Sequence, residues 1–327
     1  MTMSLSQSAE IACDPYSEVL TALGAHSVRA TGLEAAGDWA LAFDGRARLK
    51  FVAITRGQCW LLLPGRPPMA LAEGDVVLVN NTRYTVASNP AVEPIDGMPL
   101  YASPGHNLVR LGTGDETAMI GGGSGFADGG ASFVLDALPA FLLVDRTSPT
   151  AQAVERTLKS LRAEVDHAEL GGSLVAERLA EVLVVAAVRA FVAANPSTGV
   201  GWITALADPQ IGKALRLLHS DVARRWTAPM LASEVGMSRS AFTQRFAARV
   251  GRPPLDYLIN WRMVLARRKL DAGERVAAVA AAVGYSSQSA FSHAFKRTFG
   301  HTPRFGGCPP STQLHYSSAA PIRRGMA

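Results

Sequence analysis

Two short sets of polar side chains recur along the chain, Arg239, Ser240, Thr243 and Gln244 first, then Gln288, Ser289, Ser292 and His293. Short or forked donors and acceptors of this kind can hydrogen-bond the edges of base pairs in a major groove, provided they share one helix face near its N-terminus. Either set alone is equally an ordinary solvated face. What separates the two readings is the surrounding pattern, which is also duplicated: Ser238 to Gly251 returns as Ser287 to Gly300, 49 residues later (238 to 287). A period of that length marks a repeated supersecondary unit.

Each copy has the parts a helix-turn-helix needs. The apolar runs Pro229 to Val235 and Val276 to Val283 are each followed by glycine, Gly236 or Gly284, whose freedom at positive φ ends one helix and turns the chain into the next. Ser238, and Ser286 or Ser287, stand where an N-cap is wanted. Phe242, Phe246 and Val250, like Phe291, Phe295 and Phe299, recur every fourth residue as one buried stripe. The polar sets are left on the opposite face.

These residues resemble the AraC/XylS family of transcription regulators, over about the last third of the chain. Pro254 to Leu270 is similar to the long helix that joins the family's two helix-turn-helix units, and Val283 to Pro303 to its most diagnostic run. The resemblance implies that Ser240, Thr243, Gln244, Gln288, Ser289, Ser292 and His293 face the bases of promoter DNA; Ser240 and Ser289 are smaller than the residues some members carry there.

Charge agrees with a polyanion-binding C-terminal part. Pro209 to Phe305 holds sixteen Lys and Arg against five Asp and Glu, a local +11 in a chain whose net charge is +5, so the remainder carries −6. Cationic surface supplies the sequence-independent part of DNA affinity, and Arg249, Arg252, Arg262, Lys296 and Arg297 are the candidate phosphate contacts. No secretory pattern opens the chain and no long uncharged apolar run follows, so a cytoplasmic product without membrane partners is expected. Three cysteines form neither a disulfide framework nor a zinc site. Cys59 reads as a core residue; a regulator triggered by oxidation of Cys13 or Cys59 is the alternative.

Ahead of the basic part the period changes to two. Strands are expected at Trp39 to Phe43, Leu49 to Ile54, Gln58 to Leu63, Asp75 to Val79 and Arg83 to Ser88, with further ones at Leu108 to Leu111, Thr117 to Ile120, Ser132 to Leu135 and Phe141 to Val144. Gly121 to Gly125 reads as a flexible loop and the chain up to about Leu33 as an entry segment containing a short helix. Ile54 to Leu63 followed by Leu71 to Val79 resembles the cupin sensor domain found in one subset of the same family. Enzymatic cupins hold a metal on clustered His and carboxylate; here there are only His26 and His106, and Val52 and Tyr84 stand where related domains often carry histidine. No metal, cofactor or enzymatic chemistry is expected, and a cupin enzyme with a basic appendage, like an effector-free packaging protein, is the weaker alternative. Trp39, Phe43, Phe51, Trp60 and Tyr84, with Arg83 as polar anchor, could line an effector pocket or simply fill the core.

Helical period returns after Pro149. Ala151 to Val165 and Ser173 to Ala194 read as two helices, the second so continuously apolar that it must bury against the β domain or form a dimer seam. The fold class expected is α+β: a cupin-like antiparallel barrel (1–148), a helical dimerisation region and linker (149–200), an all-α double helix-turn-helix domain (201–305) and a disordered tail (306–327). The partners expected are double-stranded promoter DNA, a small-molecule effector, a second copy of the chain and, as an option, RNA polymerase.

Overall fold

The computed structural model describes residues 14–103, 107–126, 130–144, 150–166, 170–195 and 199–303. Cys13, His106, Cys308, the centre of the expected linker (196–198) and the tail from 306 lie outside the described residues.

The chain opens with α1 (Pro15–Ala22), started by Asp14, whose carboxylate accepts the Ser17 N–H, and by proline in the first turn. Eleven strands follow among the described residues: β1 (His26–Ala35), β2 (Ala40–Asp44), β3 (Leu49–Arg56), β4 (Gln58–Leu62), β5 (Met69–Ala72), β6 (Val76–Asn80), β7 (Arg83–Ala87), β8 (Ile95–Asp96), β9 (Leu108–Leu111), β10 (Thr117–Gly125) and β11 (Phe141–Leu143), with a 3-10 turn at Met98–Tyr101 and a short helix α2 (Ser132–Leu135) between them. They make two open sheets face to face, ordered β11-β6-β3-β10-β1-β9 and β5-β4-β7-β2-β8. The expected barrel is therefore a two-sheet cupin sandwich. Most neighbours are antiparallel, but β1 with β9 and β2 with β8 run parallel.

Period-two alternation explains how the larger sheet is covered on both faces. In β3, Val52 and Ile54 face the other sheet while Leu49, Phe51 and Ala53 face away; in β6, Val77 and Val79 face in while Val76 and Leu78 face out. The outward side is roofed by helices α3 (Ala151–Asp166) and α4 (Gly172–Ala194), the latter crossing β1, β10, β6 and β11. Burial against the sheet thus accounts for Leu183, Val184, Ala187 and Val188 of α4, whereas Leu174 and Val182 remain 57% and 52% exposed.

Three sequence expectations fail here, each for a physical reason. Ser132 to Leu135 is helix, not strand: four residues are too few for a period to show, and Phe133, Val134 and Leu135 are all buried. Residues 26–35 form a strand flanked on both edges, by β10 and β9, so ladder pairing overrides a composition rich in Ala and Gly. Gly121 to Gly125 belongs to β10, opposite Val52, Phe51, Lys50 and Leu49 of β3. A Cβ at Gly122 would stand 2.7 Å from the Phe51 ring, so glycine is there to admit a neighbouring side chain rather than to loosen the chain.

The rest is helical: α5 (Trp202–Ala205), α6 (Pro209–Ser220), α7 (Ala228–Glu234), α8 (Arg239–Val250), α9 (Pro254–Asp271), α10 (Val276–Ala282) and α11 (Gln288–Phe299). Helices α7–α8 and α10–α11 are the two repeat copies, and α9 joins them. The core does not divide in the same way. Phe242, Phe246, Tyr257 and Trp261 belong to one continuous apolar cluster with α1, α2, α4 and the outer face of the larger sheet, whereas Met263, Leu270, Val279, Phe291 and Phe295 form a separate cluster around the second copy.

Candidate nucleic-acid interface

The two copies are built alike down to their caps. Gly236 and Gly284 adopt φ of 68° and 82° at the turns, and Gly251 and Gly300 close α8 and α11 at 84° and 79°. Ser238 accepts the Ala241 N–H at 3.3 Å and Ser287 accepts the Ala290 N–H at 3.2 Å, which settles the choice between Ser286 and Ser287. Phe242 and Phe246, like Phe291 and Phe295, turn inward.

On the outward face Arg239, Ser240 and Gln244 are exposed and Thr243 is half-buried; in the second copy Gln288, Ser289 and His293 are exposed and Ser292 is half-buried. All eight lie in the first two turns of a 12-residue helix. Thr243 donates its hydroxyl to the Arg239 carbonyl at 2.9 Å, leaving its methyl and lone pairs for an apolar or donor-bearing base edge.

The five expected phosphate contacts separate. Lys296 and Arg297 are exposed and Arg252 is half-buried; Arg252 and Arg297 border a polar cleft that also includes Asp136, just after α2. Arg262 points into the fold instead, donating to the Val222 and Arg224 carbonyls at 2.9 and 2.8 Å. Arg249 is only 16% exposed and lies 3.8 Å from Asp208. Both are thus engaged within the fold, by carbonyls and a carboxylate distant in sequence, and are less free to reach a DNA backbone than Lys296 and Arg297. Asp208 caps α6 and takes Arg245 at 2.9 Å; burial works to raise its pKa, but the Ile211 and Gln210 N–H groups and Arg245 outweigh burial and hold the carboxyl low.

Sequence reasoning missed the group that seats the first copy on the β domain. His219, at the end of α6, is buried between Glu18 of α1 (Nδ1 to Oε2, 2.8 Å) and Tyr257 of α9 (Nε2 to Oη, 2.7 Å). A neutral ring donating from Nδ1 to the carboxylate and accepting the phenol at Nε2 satisfies all three groups. Nearby, Trp202 donates to the Phe133 carbonyl at 2.7 Å, and the Phe133 ring lies 5.5 Å from Tyr257 and 5.9 Å from Trp261. Burial lowers the His219 pKa against the raising influence of Glu18. A histidine whose folded pKa is depressed contributes stability above its unfolded value, about 6.5, and loses it as pH falls through the folded one. Thermal melting should therefore weaken progressively below about pH 6.5, more steeply for the parent than for His219→Gln; parallel pH profiles would remove His219 from the account.

The expected pocket residues are also redistributed. A cavity of about 190 Å³ lies between the sheets, walled by Phe43, Tyr84, Val52, Met119 and Tyr101, with Arg48 and Lys50 as its cations. Of the six expected residues only Phe43 and Tyr84 border it. Phe51 faces the helical roof, Trp39 is core, and Trp60 and Arg83 lie away from the wall; the cations that border the cavity are Arg48 and Lys50. Lys50 carried one legible signal, its alternation with Val52 and Ile54, but a strand apolar on both faces does not say which face is the pocket. Cys59 is 2% exposed and burial pushes its thiol up to about 12, the opposite of what a reactive thiolate requires.

Two helix-turn-helix units in series behind a cupin sandwich define a DNA-binding regulator. Comparison with known proteins agrees. A cupin family profile matches residues 14–193 and a helix-turn-helix domain profile residues 231–305. A Streptomyces antibioticus protein described as an AraC-like transcription regulator is 41% identical over 293 residues, 89% of this chain and 97% of the relative. The transcriptional regulator AlkR of Acinetobacter baylyi is 28% identical over 82% of this chain and 90% of its own. Among solved structures, the DNA-binding domain of AdpA in complex with a target DNA is 30% identical and covers 29% of this chain and 86% of that one, with a TM-score of 0.28. The chain belongs to the AraC family of transcription regulators.

Proposed function

We propose that this regulator senses a small molecule in the cavity between its sheets and answers by changing how α8 and α11 sit on promoter DNA. The observation that carries the reading is the continuous core: the first helix-turn-helix is packed, through α1, α2, His219 and Trp202, on the larger of the two sheets that enclose the cavity. A change in sheet separation therefore has a packed route to one recognition unit, while the second, with its own core, is carried on α9.

In this reading Arg239, Ser240, Thr243 and Gln244 meet one major-groove segment and Gln288, Ser289, Ser292 and His293 the next, about 34 Å along one face of the duplex. Arg252, Lys296 and Arg297 hold the backbone. The exposed Leu174, Val175 and Val182 of α4 favour a homodimer seam outside the DNA face. No helix among the described residues is long and apolar enough to cross a membrane.

Selection of genomic fragments by the purified protein at physiological salt, followed by sequencing, tests the DNA part, because sequence-independent binding is suppressed there. Recovery of a few sites carrying two motif halves about one helical turn apart is expected. Featureless retention would instead leave a charge-driven packaging protein.

A further inference from the structure

We infer that the inter-sheet cavity is a site for a small organic carboxylate, its anionic end against Lys50 and Arg48 and an apolar body of about one aromatic ring among Phe43, Tyr84 and Tyr101. The inference rests on the proposed effector reading and deepens it by naming the ligand class.

One absent side chain helps to make the space. Gly121 follows Met119 at the two-residue period, so its side-chain direction is the inter-sheet one, and in the ladder Gly121 faces Val52 and Gly123 faces Lys50. Glycine at 121 leaves the space beside Val52 and Thr31 open, whereas at Gly123 a Cβ would meet the Leu49 carbonyl, so glycine there admits the close approach of β3. The room, about 190 Å³, compares with the roughly 150 Å³ of an apolar cavity that accepts benzene. Phe43 and Tyr84 stack at 5.3 Å between ring centroids, and the Phe43 and Tyr101 rings are 6.4 Å apart, offering an aromatic wall to a flat or compact apolar group.

The polar groups are of one kind. Arg48 and Lys50 border the cavity with no acidic partner among the described residues. Tyr84, 9% exposed, presents a hydroxyl that has no hydrogen-bond partner among them either. Half-buried Lys50, the exposed Arg48 and a phenol donor all border this space with no carboxylate to neutralise them, which matches a ligand that brings its own negative charge. Burial, with Arg48 beside it, lowers the Lys50 amine to about 8. Arg48, Tyr84 and Tyr101 are the other titratable groups on the wall. A bound carboxylate favours the charged amine, so binding should weaken as pH rises through about 8 and take up a proton there.

Calorimetry with phenylacetate and its neutral isostere phenylacetamide tests the assignment on the full chain. Phenylacetate should bind the parent about tenfold or more tightly than the amide, and Lys50→Met should erase that preference while Lys50→Arg restores it. Gly121→Leu should abolish binding of both, and a Cβ at position 121 meets only ordinary contacts, 3.6 Å from the Phe51 carbonyl and 3.7 Å from Thr31, so the fold should survive. Equal affinity for acid and amide, an undiminished preference in Lys50→Met, or no binding of either at millimolar concentration overturns the carboxylate assignment. Phenylacetate binding untouched by Gly121→Leu overturns the location. Binding as expected, with operator affinity unchanged by the ligand, supports the carboxylate site and overturns the effector reading instead.

Discussion

Phe295→Ala is expected to unfold the second helix-turn-helix and leave the first in place. Truncating a fully buried phenylalanine costs about 3–5 kcal/mol, and Phe295 sits in a cluster confined to α9, α10 and α11. A unit of that size has little stability to lose. Phe246 differs, since it shares its core with α1, α2 and the β domain; Phe246→Ala should loosen the first copy together with its seat. Hydrogen exchange resolved by segment distinguishes the two: in Phe295→Ala, protection should vanish over α10 and α11 and persist over α6 to α8. Uniform loss across both copies would show that they fold as one unit and that the separation of cores has no energetic meaning. Operator binding should fall in either case, to half-site strength for Phe295→Ala.

Replacing the amides of both recognition helices, Gln244→Ala with Gln288→Ala, carries the second large effect. Each bidentate contact is worth about 1–3 kcal/mol of discrimination, and because the two residues lie on different helices with separate cores the losses should add, to roughly 2–6 kcal/mol together. The loss should appear at two separate groups of base pairs, one per substitution, with binding to scrambled DNA little changed. Arg297→Ala serves as the contrast, weakening all sequences alike and flattening the salt dependence by about one counterion. If the glutamine variants kept the parent's ratio of cognate to scrambled affinity, the assignment of these faces to base reading would be wrong, although membership of the family would be untouched.

The repeat, its turns and its caps could be read from sequence because every interaction that defines them is local. Gly236 and Gly284 act through their own φ, Ser238 and Ser287 through an N–H three residues on, and the phenylalanine stripes through the turn of one helix. The same locality made β2, β3, β4, β6 and β7 legible, though not the short β5, and with them the change from a β-rich to a helical part. Charge, being a sum over residues, needs no coordinates at all. By itself, then, the sequence determined the division into a β-rich and a helical part, the family and which helix faces are polar.

What it left open depends on partners far along the chain. Glu18 and His219 are 201 residues apart, and no window of sequence joins them. Arg249 and Arg262 looked like surface cations until Asp208 and the Val222 and Arg224 carbonyls were brought beside them. Gly121 to Gly125 has the composition of a loop, and only pairing with β3 and β1 shows it to be a strand, with Gly121 bordering the cavity. Ser132 to Leu135 was too short to carry a period, so burial against Trp202, Tyr257 and Trp261 decided its shape. Tertiary structure alone decided which cations are engaged within the fold, where the cavity lies and how the β domain holds the first recognition helix, because each is a long-range contact whose energy is felt only after the chain has closed on itself.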